Sequence, residues 1–180
     1  MPARLDHARP FVPVGIAVVT VSDTRTPDDD ESGTVLAERL TAAGHNLAHR
    51  SMVQDDGARI EMRLRELIAD ESVDVVLTTG GTGVTGRDVT PEALDRVCDK
   101  YIPGFGELFR MLSYEKVGTS ALQSRAGAGV AGATYLFVLP GSPSACRDAW
   151  DGILAHQLDF RHRPCNFVEL LPRLREGALP

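Results

Sequence analysis

The feature that most constrains the fold is a series of short apolar runs, rich in β-branched residues, that alternate with helical patterns. The runs are VGIAVVTV at 14–21, a weaker one at 47–53 and VDVVLTT at 73–79. Such runs are typical of strands that are covered on both faces, as in parallel sheets. Between them, apolar residues recur at helical spacing, most clearly over 58–70. The alternation predicts a three-layer α/β/α sandwich with a mostly parallel sheet.

Further elements follow from the remaining patterns. We expect helices over 32–43, 90–98, 106–116 and 142–158, and a hairpin that joins 126–131 to 134–139. Thr90 and Ser142 each precede a proline, so each is expected to be the N-cap of its helix. The predicted organisation is a loose N-terminal arm at 1–13, one domain at 14–167 and a C-terminal tail at 168–180.

Composition excludes several classes of protein. The chain has 180 residues, a formal net charge of −6 and three cysteines without a C-x-x-C pair. An acidic chain is a poor non-specific binder of nucleic acid, and widely spaced cysteines indicate neither a disulfide framework nor a zinc site. No apolar run suits a membrane span or a signal-peptide core, so the chain is expected in the cytoplasm. His45 and His49 are interpreted as surface residues.

The predicted chemistry lies where the strands end, because ligands of open α/β sheets bind outside the carboxyl ends of the strands. The stretch 81–86 matches G-x-G-x-x-G, but no helix follows at once, which disfavours a dinucleotide site. Backbone amides of a glycine-rich loop can approach a phosphate, although glycines also serve simple tight turns. Both readings stay open for the loop, whose candidate residues are Thr79, Gly80, Gly81, Thr82 and Gly83.

Three carboxylates, Asp55, Asp56 and Asp88, lie at or just after predicted strand ends. Carboxylates beside phosphates would repel them unless Mg²⁺ lay between. One of Asp55 and Asp56 is expected to cap the helix over 58–70, which leaves the other for a metal ion.

Six motifs in order resemble the molybdopterin-binding family of molybdenum cofactor biosynthesis proteins. They are SDTR at 22–25, TTGGTG at 78–83, RDVTPEA at 87–93, PGFGELFRMLS at 103–113, QSRAGAG at 123–129 and LPGSP at 139–143. The C-terminal ACRDAW and RPCNF are most similar to the bacterial MoaB branch. The similarity covers about 14–167.

The resemblance implies a compact α/β domain, assembled as a trimer or as a hexamer of two trimers. It implies that molybdopterin binds in a cleft along the strand ends and is adenylylated by ATP with Mg²⁺. By matching motifs, Asp55 and Asp88 become the expected catalytic and metal-binding residues. The same matching assigns substrate contacts to the glycine-rich loop and to Ser22, Asp23, Arg87, Ser124, Arg125, Pro140, Gly141 and Ser142.

Two alternatives remain beside this function. One is a protein that binds or delivers molybdopterin without using ATP. The other is nucleotide pyrophosphate hydrolysis, because a similar fold occurs as a domain of competence-damage-type proteins, whose second domain does not fit in a chain of this length. The segment QDDGA departs from the proline-aspartate-glutamate of active relatives, which leaves the role of Asp56 open.

Overall fold

Eight strands occur in the computed structural model, which describes residues 4–174 and 176. They are β1 (Arg4–Leu5), β2 (Gly15–Val21), β3 (Asn46–Val53), β4 (Val75–Thr79), β5 (Lys100–Tyr101), β6 (Gly127–Ala131), β7 (Thr134–Leu139) and β8 (His162–Arg163). Six of them form one sheet in the order β3-β2-β4-β7-β6-β5. β3, β2, β4 and β7 run parallel, whereas β6 is antiparallel to both β7 and β5. The predicted mostly parallel sheet and the predicted hairpin are therefore confirmed.

Helices cover both faces of this sheet. They are α1 (Glu31–Ala42), α2 (Gly57–Ile68), α3 (Thr90–Val97), α4 (Pro103–Val117), α5 (Pro143–Ala149), α6 (Ala155–Gln157) and α7 (Leu171–Leu174). A π-helical turn at Trp150–Leu154 joins α5 to α6, so the predicted helix over 142–158 exists with this irregularity. No helix of the described residues is long and apolar enough to cross a membrane.

Each face of the sheet has its own core, because successive side chains of a strand point to opposite faces. In β2, Ile16 and Val18 pack with α1, α4 and α5 on one face. Ala17 and Val19 pack with α2 and α3 on the other. The apolar run of β2 is thus buried on both sides, and the predicted three-layer sandwich is confirmed.

The chain ends and one histidine differ from the sequence-based expectation. β1 pairs with β8, with Arg4 opposite Arg163 and Leu5 opposite His162. Part of the arm that is expected to be loose is therefore held by a strand from the far end of the chain. His45 was expected on the surface and is buried, with its Nδ1 accepting the Val14 amide at 3.3 Å. Phe11 and Trp150 cover its ring. Both differences depend on contacts between distant parts of the chain.

Candidate functional site

A polar cavity of about 410 Å³ opens at the carboxyl ends of β2 and β4, beside the turn after β7. Three strand ends that are far apart in sequence meet here because the strands are parallel neighbours. The cavity is lined by Val21, Ser22, Asp23, Thr24, Arg25, Asp55, Gly80, Gly81, Thr82, Gly83, Thr85, Arg87, Asp88 and Gly141. The strand ends therefore line one cavity, as the sequence predicts.

The glycine-rich loop after β4 requires glycine at two positions. Gly80 and Gly81 have φ angles of +108° and +63°, which side-chain-bearing residues rarely adopt. A Cβ on Gly80 would lie 2.2 Å from the Val21 carbonyl oxygen, and one on Gly81 would lie 2.3 Å from Thr90 Oγ1. The tight-turn interpretation is thus satisfied at both positions.

The same loop also presents free backbone donors. The Gly80 amide donates to the Leu139 carbonyl at 3.0 Å. The amides of Gly81 and Thr82 donate to no backbone carbonyl within the described residues. Both residues line the cavity, so the loop can serve an anion as well as a turn.

Thr90 does not have the capping role expected from sequence. It is the first residue of α3, and Val89 takes the N-cap position without a side-chain cap. The Thr90 hydroxyl donates to the Gly80 carbonyl at 2.9 Å, and its amide donates to the Gly81 carbonyl at 3.0 Å. The prediction that Thr90 caps α3 is wrong because its hydroxyl donates to the glycine-rich loop instead. These two hydrogen bonds attach α3 to that loop.

The pair Asp55 and Asp56 divides its tasks. Asp56 accepts the Arg59 amide at 2.9 Å and is the N-cap of α2. Asp55 turns into the cavity, and its Oδ1 is buried without a hydrogen-bond partner among the described residues. Burial raises the pKa of Asp55, opposed by the Val89 amide and assisted by the charge of Asp88. Of the two residues, Asp55 is thus the one available to a ligand.

Asp88 is held differently. Its Oδ2 accepts the amide and the hydroxyl of Thr85, at 2.9 and 2.5 Å. The Thr85 hydroxyl is the main cause that lowers the pKa of Asp88. Asp88 is therefore ionised at neutral pH, and Thr85 holds its carboxylate in one orientation. Ionisation is less favourable for the buried Asp55.

The rim of the cavity mixes both signs of charge. Asp23 Oδ1 accepts the Asp55 amide at 3.1 Å, and Arg87 Nη1 lies 3.6 Å from Asp23 Oδ2. The Arg87 side chain is 80% exposed, so this ion pair contributes little to stability and the guanidinium is free to reorient towards an anion.

Several expected contact residues do not line the cavity. The buried Thr79 donates to the Pro140 carbonyl at 2.9 Å, so both stabilise the turn after β7. Ser142 accepts the Ala145 amide at 3.2 Å as the N-cap of α5, as its sequence context predicts. Ser124 accepts the Ala126 amide at 3.4 Å. Of the LPGSP motif, Gly141 alone reaches the cavity wall.

Arg125 lies behind the glycine-rich loop. Its Nε donates to the Gly83 carbonyl at 2.7 Å and its Nη2 to the Asp88 carbonyl at 2.6 Å. Its Nη1 pairs with Glu92. The resemblance suggested a direct anion contact for Arg125, whereas each of its guanidinium nitrogens is engaged with protein.

Arg25 is a cavity residue that sequence reasoning did not select. Its Nη1 donates to Ser32 Oγ at 2.9 Å, and the Ser32 hydroxyl donates to the Gly141 carbonyl at 2.7 Å. This chain of bonds joins the turn after β2 to the turn after β7. The available signal was the cation in SDTR, directly after a buried strand, but its link to Ser32 and Gly141 is visible in three dimensions alone.

The donor set suits a metal ion that is bound together with phosphate. Within residues 4–174 and 176, no group of three or more His, Cys, Asp or Glu could hold a metal ion alone. Mg²⁺ is usually held by one or two carboxylates, water and substrate phosphates. The unpartnered Oδ1 of Asp55 and the ionised Asp88 fit that requirement.

Comparison with known proteins adds sequence and fold similarity. Residues 17–159 match the family model described as a probable molybdopterin binding domain. Molybdenum cofactor biosynthesis protein B of Escherichia coli strain K12 is 50% identical over 157 residues, 87% of this chain and 92% of that protein. A crystal structure of Molybdenum cofactor biosynthesis protein B has a TM-score of 0.84 at 40% identity and covers 93% of this chain and 99% of its own. The tungsten cofactor synthesizing protein MoaB from Pyrococcus furiosus has a TM-score of 0.74 at 33% identity, over 91% and 98% of the two chains.

Proposed function

We propose, because this chain belongs to the molybdopterin-binding domain family, that it acts in molybdenum cofactor biosynthesis by binding molybdopterin and adenylylating it with Mg²⁺ and ATP. The relatives named for molybdenum cofactor biosynthesis support the role, and the motifs at the strand ends support the reaction. Molybdopterin and ATP both carry phosphates, and the cavity is polar and lined by free amides, arginines and carboxylates.

One observation carries the catalytic part of the proposal. Asp55 Oδ1 is buried without a partner beside a loop suited to phosphate. A buried unpaired carboxylate oxygen costs free energy, and proteins retain such groups where a ligand completes them. A protein that bound only the pterin phosphate would gain nothing from this carboxylate, which would repel it.

The reaction assigns clear tasks to the chain. An oxygen of the molybdopterin phosphate forms a bond to the α-phosphorus of ATP, and the bond to the β,γ-pyrophosphate breaks with its electron pair on the leaving pyrophosphate. Since both reactants are anions, the protein must mainly position them and offset charge. Mg²⁺, when bound, would neutralise phosphate oxygens next to Asp55 and Asp88.

Different groups of the cavity would contact different phosphates of the two substrates. The amides of Gly81 and Thr82 have no backbone acceptor and lie at the cavity wall, so they are available to donate to a phosphate. Arg25, held by Ser32 at the far wall, can meet a second, and the exposed Arg87 can fold over the bound ligand. This arrangement needs no lysine, and neither lysine of the chain lines the cavity.

The test is to incubate the protein with molybdopterin, ATP and Mg²⁺ and to measure adenylylated molybdopterin and pyrophosphate. The wild type is expected to form both, and Asp55→Asn and Asp88→Asn are expected to lose product by about a hundredfold or more. Asp56→Asn is the matched control, because asparagine caps a helix as well as aspartate and this residue does not line the cavity. Equal loss in all three variants would contradict the assignment of Asp55.

The alternative, a protein that binds or delivers molybdopterin without turnover, predicts tight binding and no product. In that case Asp55→Asn would bind the anionic pterin more tightly than the wild type, because one repelling carboxylate is removed. Measuring molybdopterin affinity beside product formation therefore separates the two functions.

We also propose that copies of this chain associate, as a trimer or a hexamer, through an apolar surface on α4 and the turn after it. Met111, Tyr114 and Leu122 are 67%, 62% and 85% exposed there. They line, with their neighbours, a groove of about 530 Å³. Large exposed apolar patches on soluble proteins mark interaction sites, and a second copy would remove these side chains from water.

A further inference from the structure

The loop that carries Asp88 is held to the domain at both of its ends by a single side chain. Arg125, two residues before β6, donates from Nε to the Gly83 carbonyl and from Nη2 to the Asp88 carbonyl. The backbone amide of Arg125 also donates to the Thr82 carbonyl at 3.1 Å. Arg125 thus contacts this loop where it leaves the glycine-rich turn and again just before α3.

Between these ends the loop has little support of its own. Val84 is 70% exposed, and a Cβ on Gly86 would meet nothing within 4 Å. The contacts of Asp88 with Thr85 lie within the loop, so they stiffen it without attaching it to the sheet. Arg87 and Thr90 add contacts on either side of Asp88, with Asp23 and with the glycine-rich loop. Arg125 supplies the bonds to the carbonyls of Gly83 and Asp88 themselves, so it contributes to the position of the Asp88 carboxylate.

Glu92 completes the arrangement from the first turn of α3. Its Oε1 pairs with Arg125 Nη1, and its Oε2 is buried without a partner within the described residues. The Arg125 guanidinium holds the pKa of Glu92 below its usual range. The pair is charged at neutral pH, and it directs the guanidinium towards the two carbonyls.

We propose that Arg125 and Glu92 are positioning residues that hold Asp88 at the cavity wall, where Asp88 and Asp55 would together hold a phosphate-bound metal ion. This rests on the proposed function and assigns Arg125 a role different from the substrate contact that the resemblance suggested. All three guanidinium nitrogens have protein acceptors, and Arg125 is absent from the cavity wall. The residue acts on the reaction through Asp88.

The experiment uses Arg125→Gln, Arg125→Lys and Glu92→Gln. Arg65→Gln is the matched control, because Arg65 likewise donates to a carboxylate, that of Glu61, and to a backbone carbonyl, that of Arg96, and has no bond to the loop. Loss of a residue that orients a metal ligand costs about tenfold to a hundredfold in activity or metal affinity. We expect that loss in Arg125→Gln. Lysine is not expected to restore it, because an ammonium cannot span the three acceptors as a planar fork does.

Two readouts distinguish positioning from mere support of the fold. The Mg²⁺ concentration for half-maximal rate should rise about tenfold in Arg125→Gln, at a temperature where circular dichroism shows it folded. In an Asp88→Asn background, Arg125→Gln should cause no further loss, because the carboxylate through which it acts is gone. If the losses of activity in the two single variants multiply in the double variant, the proposal is overturned and Arg125 is assigned a direct contact with substrate.

Hydrogen exchange provides a readout that does not depend on the reaction. Amides of residues 83–88 should exchange at least about tenfold faster in Arg125→Gln than in the wild type or in Arg65→Gln. Unchanged exchange would overturn the proposal whether or not the protein forms product. Faster exchange in a protein that forms no product would support the positioning role while refuting the proposed adenylylation.

Discussion

Replacing Gly81 by alanine tests whether the glycine-rich loop is shaped by steric necessity. At a φ of +63°, a side-chain-bearing residue costs about 1–2 kcal/mol. The new Cβ would lie 2.3 Å from Thr90 Oγ1, so the threonine must move and its hydrogen bond to the Gly80 carbonyl is lost. Losing that buried bond costs about 1–2 kcal/mol. The expected destabilisation is about 2–4 kcal/mol, and Asp55, 2.9 Å from the same Cβ, is displaced with it.

Gly86→Ala is the matched control in the same loop region. Its Cβ would meet no atom within 4 Å, and Gly86 is not among the glycines with positive φ. Thermal unfolding followed by circular dichroism, at one protein concentration, measures both variants. For a chain of this size 1 kcal/mol shifts Tm by about 2–4 °C, so Gly81→Ala should melt roughly 5–15 °C lower and Gly86→Ala near the wild type. A Gly81→Ala variant that melts within about 2 °C of Gly86→Ala would refute the steric reasoning.

Three further predictions follow from charge, burial and exposure. In the folded protein the pKa of Asp55 is raised above its ordinary 3.8, so ionisation of Asp55 makes the protein less stable as pH rises through that range. Without metal, Asp55→Asn should therefore have a higher Tm than the wild type at pH 7 but not below about pH 3. Asp56→Asn should show no such gain in Tm, and a gain that does not depend on pH would contradict burial of the Asp55 charge as its cause. Cys165 is exposed, whereas burial raises the pKa of Cys146 to about 11. A disulfide reagent should therefore label Cys165 first and Cys146 after unfolding, as measured by peptide mapping. Rapid labelling of Cys146 in the folded protein would contradict its burial. Leu122→Asp places a charge on the exposed apolar surface, and sedimentation should show weaker self-association with unchanged circular dichroism; unchanged association would exclude this surface as the contact.

Elements with a local cause were predictable from the sequence. β2 and β4 follow from continuous β-branched runs that only a doubly covered strand accommodates, and α2 follows from its apolar periodicity. The turn at Gly80 likewise follows from the conformations that glycine alone adopts readily. That these strand ends converge follows from parallel pairing, which the strand–helix alternation implies.

Other features were not predictable because the same residue has several possible partners. Thr90 has the sequence context of a helix cap, but the nearby Gly80 carbonyl receives its hydroxyl. Asp55 and Asp56 are chemically identical neighbours, and the path of the chain into α2 gives Asp56 the cap. His45 reads as a surface residue until Phe11 and Trp150 fold over it.

The layers, the strand ends and the chemical types gathered there follow from the amino-acid sequence, because hydrophobic periodicity and glycine conformation act over a few residues. Which carboxylate faces the cavity with an unpartnered oxygen, and that Arg125 supports the Asp88 loop, became visible in the folded chain. Those roles are set by hydrogen bonds between residues tens of positions apart. Their directions depend on how the helices and loops pack against the finished sheet, which no local pattern encodes.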